Sequence, residues 1–169
     1  IGRKITERLA AEGWFVYAGA RKEKDLAELD AIENVQSVRL DVTSAADIAA
    51  AVETITKAGR GLYGLVNNAG VAIRGPLVET AEADFHYVMD VNVYGPFRVT
   101  RAFSPLIIAG QGRITTISSI SGILSAPGMG VYSMSKHAME AFGDALAVEL
   151  APLGVQVSLV EPGNYRSEI

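Results

Sequence analysis

The chain has 169 residues, enough for one domain with a sizeable core, and 49% are hydrophobic against 20% charged, a globular composition. A net charge of −4 supplies no basic field for nucleic acid, and the lack of cysteine excludes disulfides and thiolate metal sites. Two histidines, His86 and His137, cannot build a histidine-rich metal site, and no apolar run reaches the ~20 residues needed to span a membrane. These bounds lead to the expectation of a cytoplasmic protein with no metal, no nucleic-acid partner and no membrane span.

Taken in order, residues 2–12 predict a helix with Ile5, Leu9 and Ala10 on one side, ended by Gly13. Trp14 to Ala20 predicts a buried strand, with Trp14 in the core. Lys22 to Ile32 predicts a short charged helix, and Val35 to Asp41 a second strand. Ser44, with Asp47 three residues on, predicts a capped helix running to about Ala58, ended by Gly59 and Gly61. Leu62 to Asn67 is a third strand. Glu79 to about Ile108 is helical with a break near Asn92–Gly95–Pro96. Arg113 to Ser118 is a fourth strand. Tyr132 to Leu150 is a long helix with Ala138, Phe142, Ala145 and Leu146 facing inward, and Val155 to Val160 is a fifth strand, ended by Pro162-Gly163.

Strands alternate with helices throughout and are apolar without polar alternation. That pattern predicts a parallel sheet buried on both faces, which binds ligands beyond the carboxyl ends of its strands. Arg21, Asp41, Asn67 to Gly70, Ser119 and Pro162-Gly163 all fall at such ends.

One stretch carries chemistry. Tyr132 and Lys136 are four apart, so on a helix they share a face, one turn apart. An ammonium held beside a phenol favours the phenolate, and a phenol tuned toward neutral pH is a competent general acid or base. Ser119, at the end of the preceding strand, could hold a substrate oxygen. Each motif alone also has an ordinary explanation: a surface Tyr–Lys pair, a strand-to-loop turn at Asn67-Asn68-Ala69-Gly70, a helix cap at Asn92.

Together, Asn67-Asn68-Ala69-Gly70, Asn92, Ser119 and Tyr132-x-x-x-Lys136 resemble the short-chain dehydrogenase/reductase family. The interval from Ser119 to Tyr132, 132 − 119 = 13, is that of the family's catalytic pair. The resemblance runs from Ile1-Gly2 to Pro162-Gly163. It implies an α/β fold, a Rossmann-like doubly wound parallel sheet with helices on both faces. It also implies an oxidoreductase that interconverts an alcohol and a carbonyl by hydride transfer. Tyr132 would exchange the proton, Lys136 would support it and hold the nicotinamide ribose, Ser119 would bind the substrate oxygen, and Asn92 would hold a water in a proton relay. Asp41 and Val42 would touch the adenine, Asn68, Ala69 and Gly70 the adenosine side, and Pro162 and Gly163 the nicotinamide.

Cofactor choice is read at the end of the strand Trp14–Ala20. Ala20 stands where NAD-specific relatives usually carry a carboxylate, and Arg21 follows, with Lys22 and Lys24 nearby. NADP(H) is therefore expected over NAD(H). The family's Gly-rich loop, Thr-Gly-x-x-x-Gly-x-Gly, is matched only at its tail, Ile1-Gly2, which makes Gly2 a cofactor residue. The expectation is thus a single incomplete NAD(P)-binding Rossmann domain over residues 1–169. It would lack the first strand and the C-terminal segment and be inactive alone. Ile73, Leu124, Met129 and Tyr165 are candidate pocket residues for a small alcohol or carbonyl. The passage Val16-Tyr17-Ala18-Gly19-Ala20-Arg21 leans toward the hydroxysteroid and retinol dehydrogenase side. Family members commonly pair the helices after Asn92 and from Tyr132, which implies a homodimer or homotetramer, with Phe97, Phe103 and Ile107 as the surplus apolar surface. Two other functions share the pattern: a non-catalytic NAD(P)-binding regulator, and an epimerase or dehydratase.

Overall fold

Turn chemistry sets the element boundaries. In the computed structural model, which describes residues 1–163, helix α1 (Gly2–Ala11) gives way to Gly13 at φ 89°, a left-handed conformation open to glycine. Strand β1 (Val16–Ala20), helix α2 (Glu23–Asp30) and strand β2 (Val35–Arg39) follow. Helix α3 (Ala45–Ala58) begins on the expected cap: Asp47 N–H donates to Ser44 Oγ at 3.2 Å, and that hydroxyl donates to Asp47 Oδ1 at 3.1 Å. Gly59, at φ 68°, ends it.

The described residues form two compact units, Ile1–Arg60 and the part from Gly61 onward. In the first, β1 and β2 run parallel, from Val16 opposite Val35 to Ala20 opposite Arg39. Ala10 and Leu29 pack with Ala18 and Val35. Val38, three residues on, is buried on the opposite face of the strand. Helix α3 also packs on β2 and buries Ile48, Ala51 and Ile55, so helices cover both sides. Trp14, expected in the core, is 48% exposed. The strand begins two residues later than expected, at Val16, and leaves Trp14 in the turn after Gly13.

The second unit runs through β3 (Gly64–Asn67), α4 (Glu82–Met89), α5 (Gly95–Ala109), β4 (Arg113–Ile117), α6 (Gly130–Leu150) and β5 (Gln156–Val160). Its sheet has order β3-β4-β5, all parallel, and no ladder joins β1 to β3 among the described residues. Ile107, Ile114 and Val155 form its core, with Leu65 and Val157 against them. The expected break is one π-helical turn, Asp90–Tyr94, between α4 and α5. Pro96 lies in the first turn of α5, directly after that π-helical turn.

One expectation changes here. The buried residues of α6 are Val131, Ser133, Ser135, Lys136, Met139 and Gly143, and Ala145 is exposed. A Cβ on Gly143 would stand 2.6 Å from Leu159, so glycine lets α6 lie close on β5. The apolar reading missed this face because close packing selected its small residues. Strand β5 exposes Gln156, Ser158 and Val160, and β3 exposes Gly64 and Val66, while β4 buries the adjacent Thr116 and Ile117. Helices α5 and α6 both pack on the other face, where Asn67 reaches Thr100 and Leu159 meets Gly143. Among the described residues no helix is long and apolar enough to cross a membrane, and no cluster of His, Cys, Asp or Glu could hold a metal ion.

Candidate active site

The carboxyl ends of β3, β4 and β5, with the start of α6, bring together most of the expected residues. Tyr132 and Lys136 lie on successive turns of α6. Lys136 Nζ sits 5.6 Å from the centre of the Tyr132 ring, within cation–π range. Lys136 is only 4% exposed and donates to Ile117 O at 2.8 Å. Burial disfavours its charge and lowers its pKa from 10.5 to about 8, while the carboxylate of Glu140 pulls the other way. Its other two N–H donors have no hydrogen-bond acceptor among the described residues. Tyr132 itself is half-buried.

Ser119 follows β4 by two residues and caps the 3₁₀ turn Ile120–Gly122, its Oγ accepting from Ser121 N–H at 3.1 Å. That leaves its own hydroxyl proton available. Pro162 O accepts from Ile120 N–H at 3.1 Å, which ties the end of β5 to the same turn. Gly163, beside it, has no neighbour among the described residues within 4 Å of where a Cβ would stand.

Asn92 sits in the π-helical turn and is 1% exposed. Its Oδ1 accepts from Val71 N–H at 2.8 Å, and its Nδ2 donates to Val71 O at 2.8 Å and to Ser135 Oγ at 2.9 Å. Ser135 in turn donates to Tyr132 O at 2.7 Å. Asn92 is therefore a clamp between the loop after β3 and the first turns of α6, with both amide hydrogens committed. Asn67 donates to Thr100 Oγ1 at 2.9 Å and shapes the start of that loop from inside. Gly70 lies against the clamp: a Cβ there would stand 3.6 Å from Asn92 Oδ1 and 3.7 Å from Lys136 Nζ. Asn68 and Gly70 are half-buried and Ala69 is exposed.

The remaining candidates belong to the first unit. Asp41 accepts from Thr43 Oγ1 at 2.7 Å and Thr43 N–H at 2.9 Å, and these bonds hold its carboxyl below the usual carboxylate range. Arg21 is exposed, with Nη1 3.8 Å from Asp41 Oδ2. A carboxylate thus stands near the guanidinium after all, supplied from the end of β2 rather than β1. Val42 is half-buried, and Gly2 opens α1.

Of the candidate pocket residues, Ile73 and Met129 are half-buried, Leu124 is exposed, and Tyr165 lies outside the described residues. A shallow apolar groove between Gly75–Leu77 and Ser125–Gly130 lies in the same unit. Phe103 and Ile107 are buried, leaving Phe97 as the exposed member of that trio. His137 contacts Ser133 O of its own helix at 2.9 Å and takes no part in the cluster.

A family model described as short chain dehydrogenase matches residues 1–169. The chain belongs to the short-chain dehydrogenase family. It is 35% identical over 174 residues to the mitochondrial D-beta-hydroxybutyrate dehydrogenase of Mus musculus, covering 97% of this chain and 51% of that protein. It is 39% identical over 173 residues to retinol dehydrogenase 5 of Mus musculus, covering 99% and 54%. The solved structure of ElxO with NADP bound superposes with a TM-score of 0.93 at 26% identity, over 99% of this chain and 70% of that one. The chain spans about half the length of the curated short-chain dehydrogenases it matches. The retinol dehydrogenase match agrees with the lean drawn from Val16 to Arg21.

Sequence reasoning missed three residues of the cluster: Ser135, Ile117 through its carbonyl, and Glu140, whose Oε1 accepts from Ser118 Oγ. Ser135 lies inside the Tyr132–Lys136 motif, so its position was a signal; the other two pairings are long-range and left none.

Proposed function

We propose that the protein is an NADP(H)-dependent oxidoreductase that interconverts an alcohol and a carbonyl, with residues 1–169 as its nucleotide-binding domain. What supports this most is Lys136, a buried ammonium with two uncommitted donors beside Tyr132 and next to the Ser119 turn. The nicotinamide cofactor supplies or accepts the hydride. Tyr132 gives the proton to the substrate oxygen in reduction and takes it back in oxidation. Lys136 stabilises the phenolate that remains and offers its free donors to a ribose hydroxyl. Ser119 turns its hydroxyl proton to the same substrate oxygen and stabilises its developing charge. Asn92 fixes the loop and helix, and the remaining lone pair of Oδ1 can accept from a relay water. Asn68, Ala69 and Gly70 take the adenosine side, Asp41 and Val42 the adenine, Gly2 the pyrophosphate, and Pro162 and Gly163 the nicotinamide.

The choice of NADP(H) is supported by Arg21, Lys22 and Lys24 and by the absence of a carboxylate at Ala20. A phosphate would compete with Asp41 for Arg21. The substrate reading follows the apolar side chains of Ile73, Leu124 and Met129 and favours small alcohols or carbonyls. A second copy of the chain would meet the exposed Tyr94, Phe97, Met134 and Val148, giving a homodimer or homotetramer that sedimentation would reveal. The test of the activity is cofactor oxidation by the purified protein across a panel of carbonyls, with each cofactor. Stoichiometric oxidation supports the oxidoreductase; turnover without net oxidation points to an epimerase or dehydratase; binding without turnover points to a regulator.

A further inference from the structure

Glu140 stands one turn beyond Lys136 on α6, and no step above uses it. Its Oε1 accepts the Ser118 hydroxyl. Lys136, four residues earlier, donates to Ile117 O. Two successive turns of α6 therefore hold two successive residues at the end of β4, and the next residue is Ser119. From the other side, Ser118 N–H donates to Val160 O at 2.8 Å and Ile120 N–H to Pro162 O at 3.1 Å. Gly122 closes the turn over the pair. A Cβ there would stand 2.7 Å from Glu140 Oε1 and 2.9 Å from Ser118 Oγ, so the backbone can approach only without a side chain.

We propose that Glu140 is a positioning residue: through Ser118 it fastens the Ser119 turn to the Tyr132–Lys136 face, and it sets a carboxylate one helical turn beyond Lys136. The inference rests on the reading of Tyr132 as proton exchanger. A carboxylate drawn into this half-buried site loses solvation, and its two compensations are the Ser118 hydroxyl and the neighbouring lysine charge. Burial lowers the lysine pKa and Glu140 opposes that change. With Lys136 neutral, the phenolate left after proton donation would lose the cation that stands 5.6 Å from the centre of its ring.

Two variants of the full protein separate the tie from the charge. Glu140→Gln keeps an acceptor for Ser118 and removes the charge. Ser118→Ala keeps the charge and removes the tie. The Lys136 titration is read by NMR on side-chain-labelled lysine, assigned by the signal lost in Lys136→Met. Glu140→Gln is expected to move it down by about half a pH unit or more, with the basic limb of the kcat/KM profile following. Ser118→Ala is expected to lower kcat about tenfold while cofactor KM stays within about twofold, the split of a misplaced catalytic group. An unmoved lysine titration in Glu140→Gln, or Ser118→Ala at wild-type kcat, would overturn the proposal. If Glu140→Gln does not fold, Ser118→Ala still decides. Tyr132→Phe is the control: full activity there would end the functional reading, while the lysine titration would still judge the Glu140 charge.

Discussion

The two units carry their polar groups in opposite ways. From Gly61 onward the candidate site is a buried network in which Asn92, Ser135, Lys136 and Ser118 each have a specified partner. In Ile1–Arg60 ion pairs lie at the surface, as in Arg3 with Glu28 at 2.5 Å and Arg39 with Glu23 at 3.0 Å. Buried polar groups are costly when orphaned, so they fix geometry; exposed pairs exchange freely with water and fix little. Rigid chemistry belongs to the first setting, and tunable ligand choice to the second.

Breaking the buried side should give the larger effects. Asn92→Ala leaves Val71 N–H, Val71 O and Ser135 Oγ without their Asn92 partner. A loss of about 2–4 kcal/mol is expected, and a Tm lower by about 5–15 °C in a thermal melt. Lys136 should give a pH signature. In the cofactor-free fold it titrates at about 8, against 10.5 ordinarily, so between these values the unfolded chain binds more protons. Stability should therefore rise with pH across that window, by about 3 kcal/mol, and Lys136→Met should abolish the rise in urea melts at pH 7.5 and 10.5. A flat wild-type profile would show that the ammonium is better solvated than its burial indicates.

The exposed side sharpens the contrast. Arg21→Ala should cut the ratio of kcat/KM for NADPH over NADH by about tenfold, since an exposed guanidinium shared with Asp41 makes a weaker phosphate contact than a buried one. An unchanged ratio would place selection elsewhere. Lys57→Ala removes the Glu53 pair at 2.6 Å and should change stability by less than about 0.5 kcal/mol. A larger loss would erase the distinction between the units.

What could be read from the chain follows the same division by range. The Ser44–Asp47 cap, the stop at Gly59 and the Tyr132–Lys136 face are local, set within four residues, and the fold has them. The partners of Asn92 lie 21 and 43 residues away and that of Glu140 lies 22 residues away, and no periodicity announces such pairs. The inward face of α6 was misread because Ser135 and Gly143 are there for closeness rather than apolarity. Trp14 was misread because a bulky apolar residue at a strand's edge looks like a core residue until the strand's first ladder bond is located.

The central claim is that α6 delivers the proton through Tyr132. The most direct measurement is the turnover of Tyr132→Phe together with its cofactor dissociation constant by fluorescence titration. A fall in kcat of about 10²–10⁴-fold, with cofactor affinity within about threefold of wild type, is the expected result. Turnover within about twofold of wild type would remove Tyr132 from the mechanism and contradict the account.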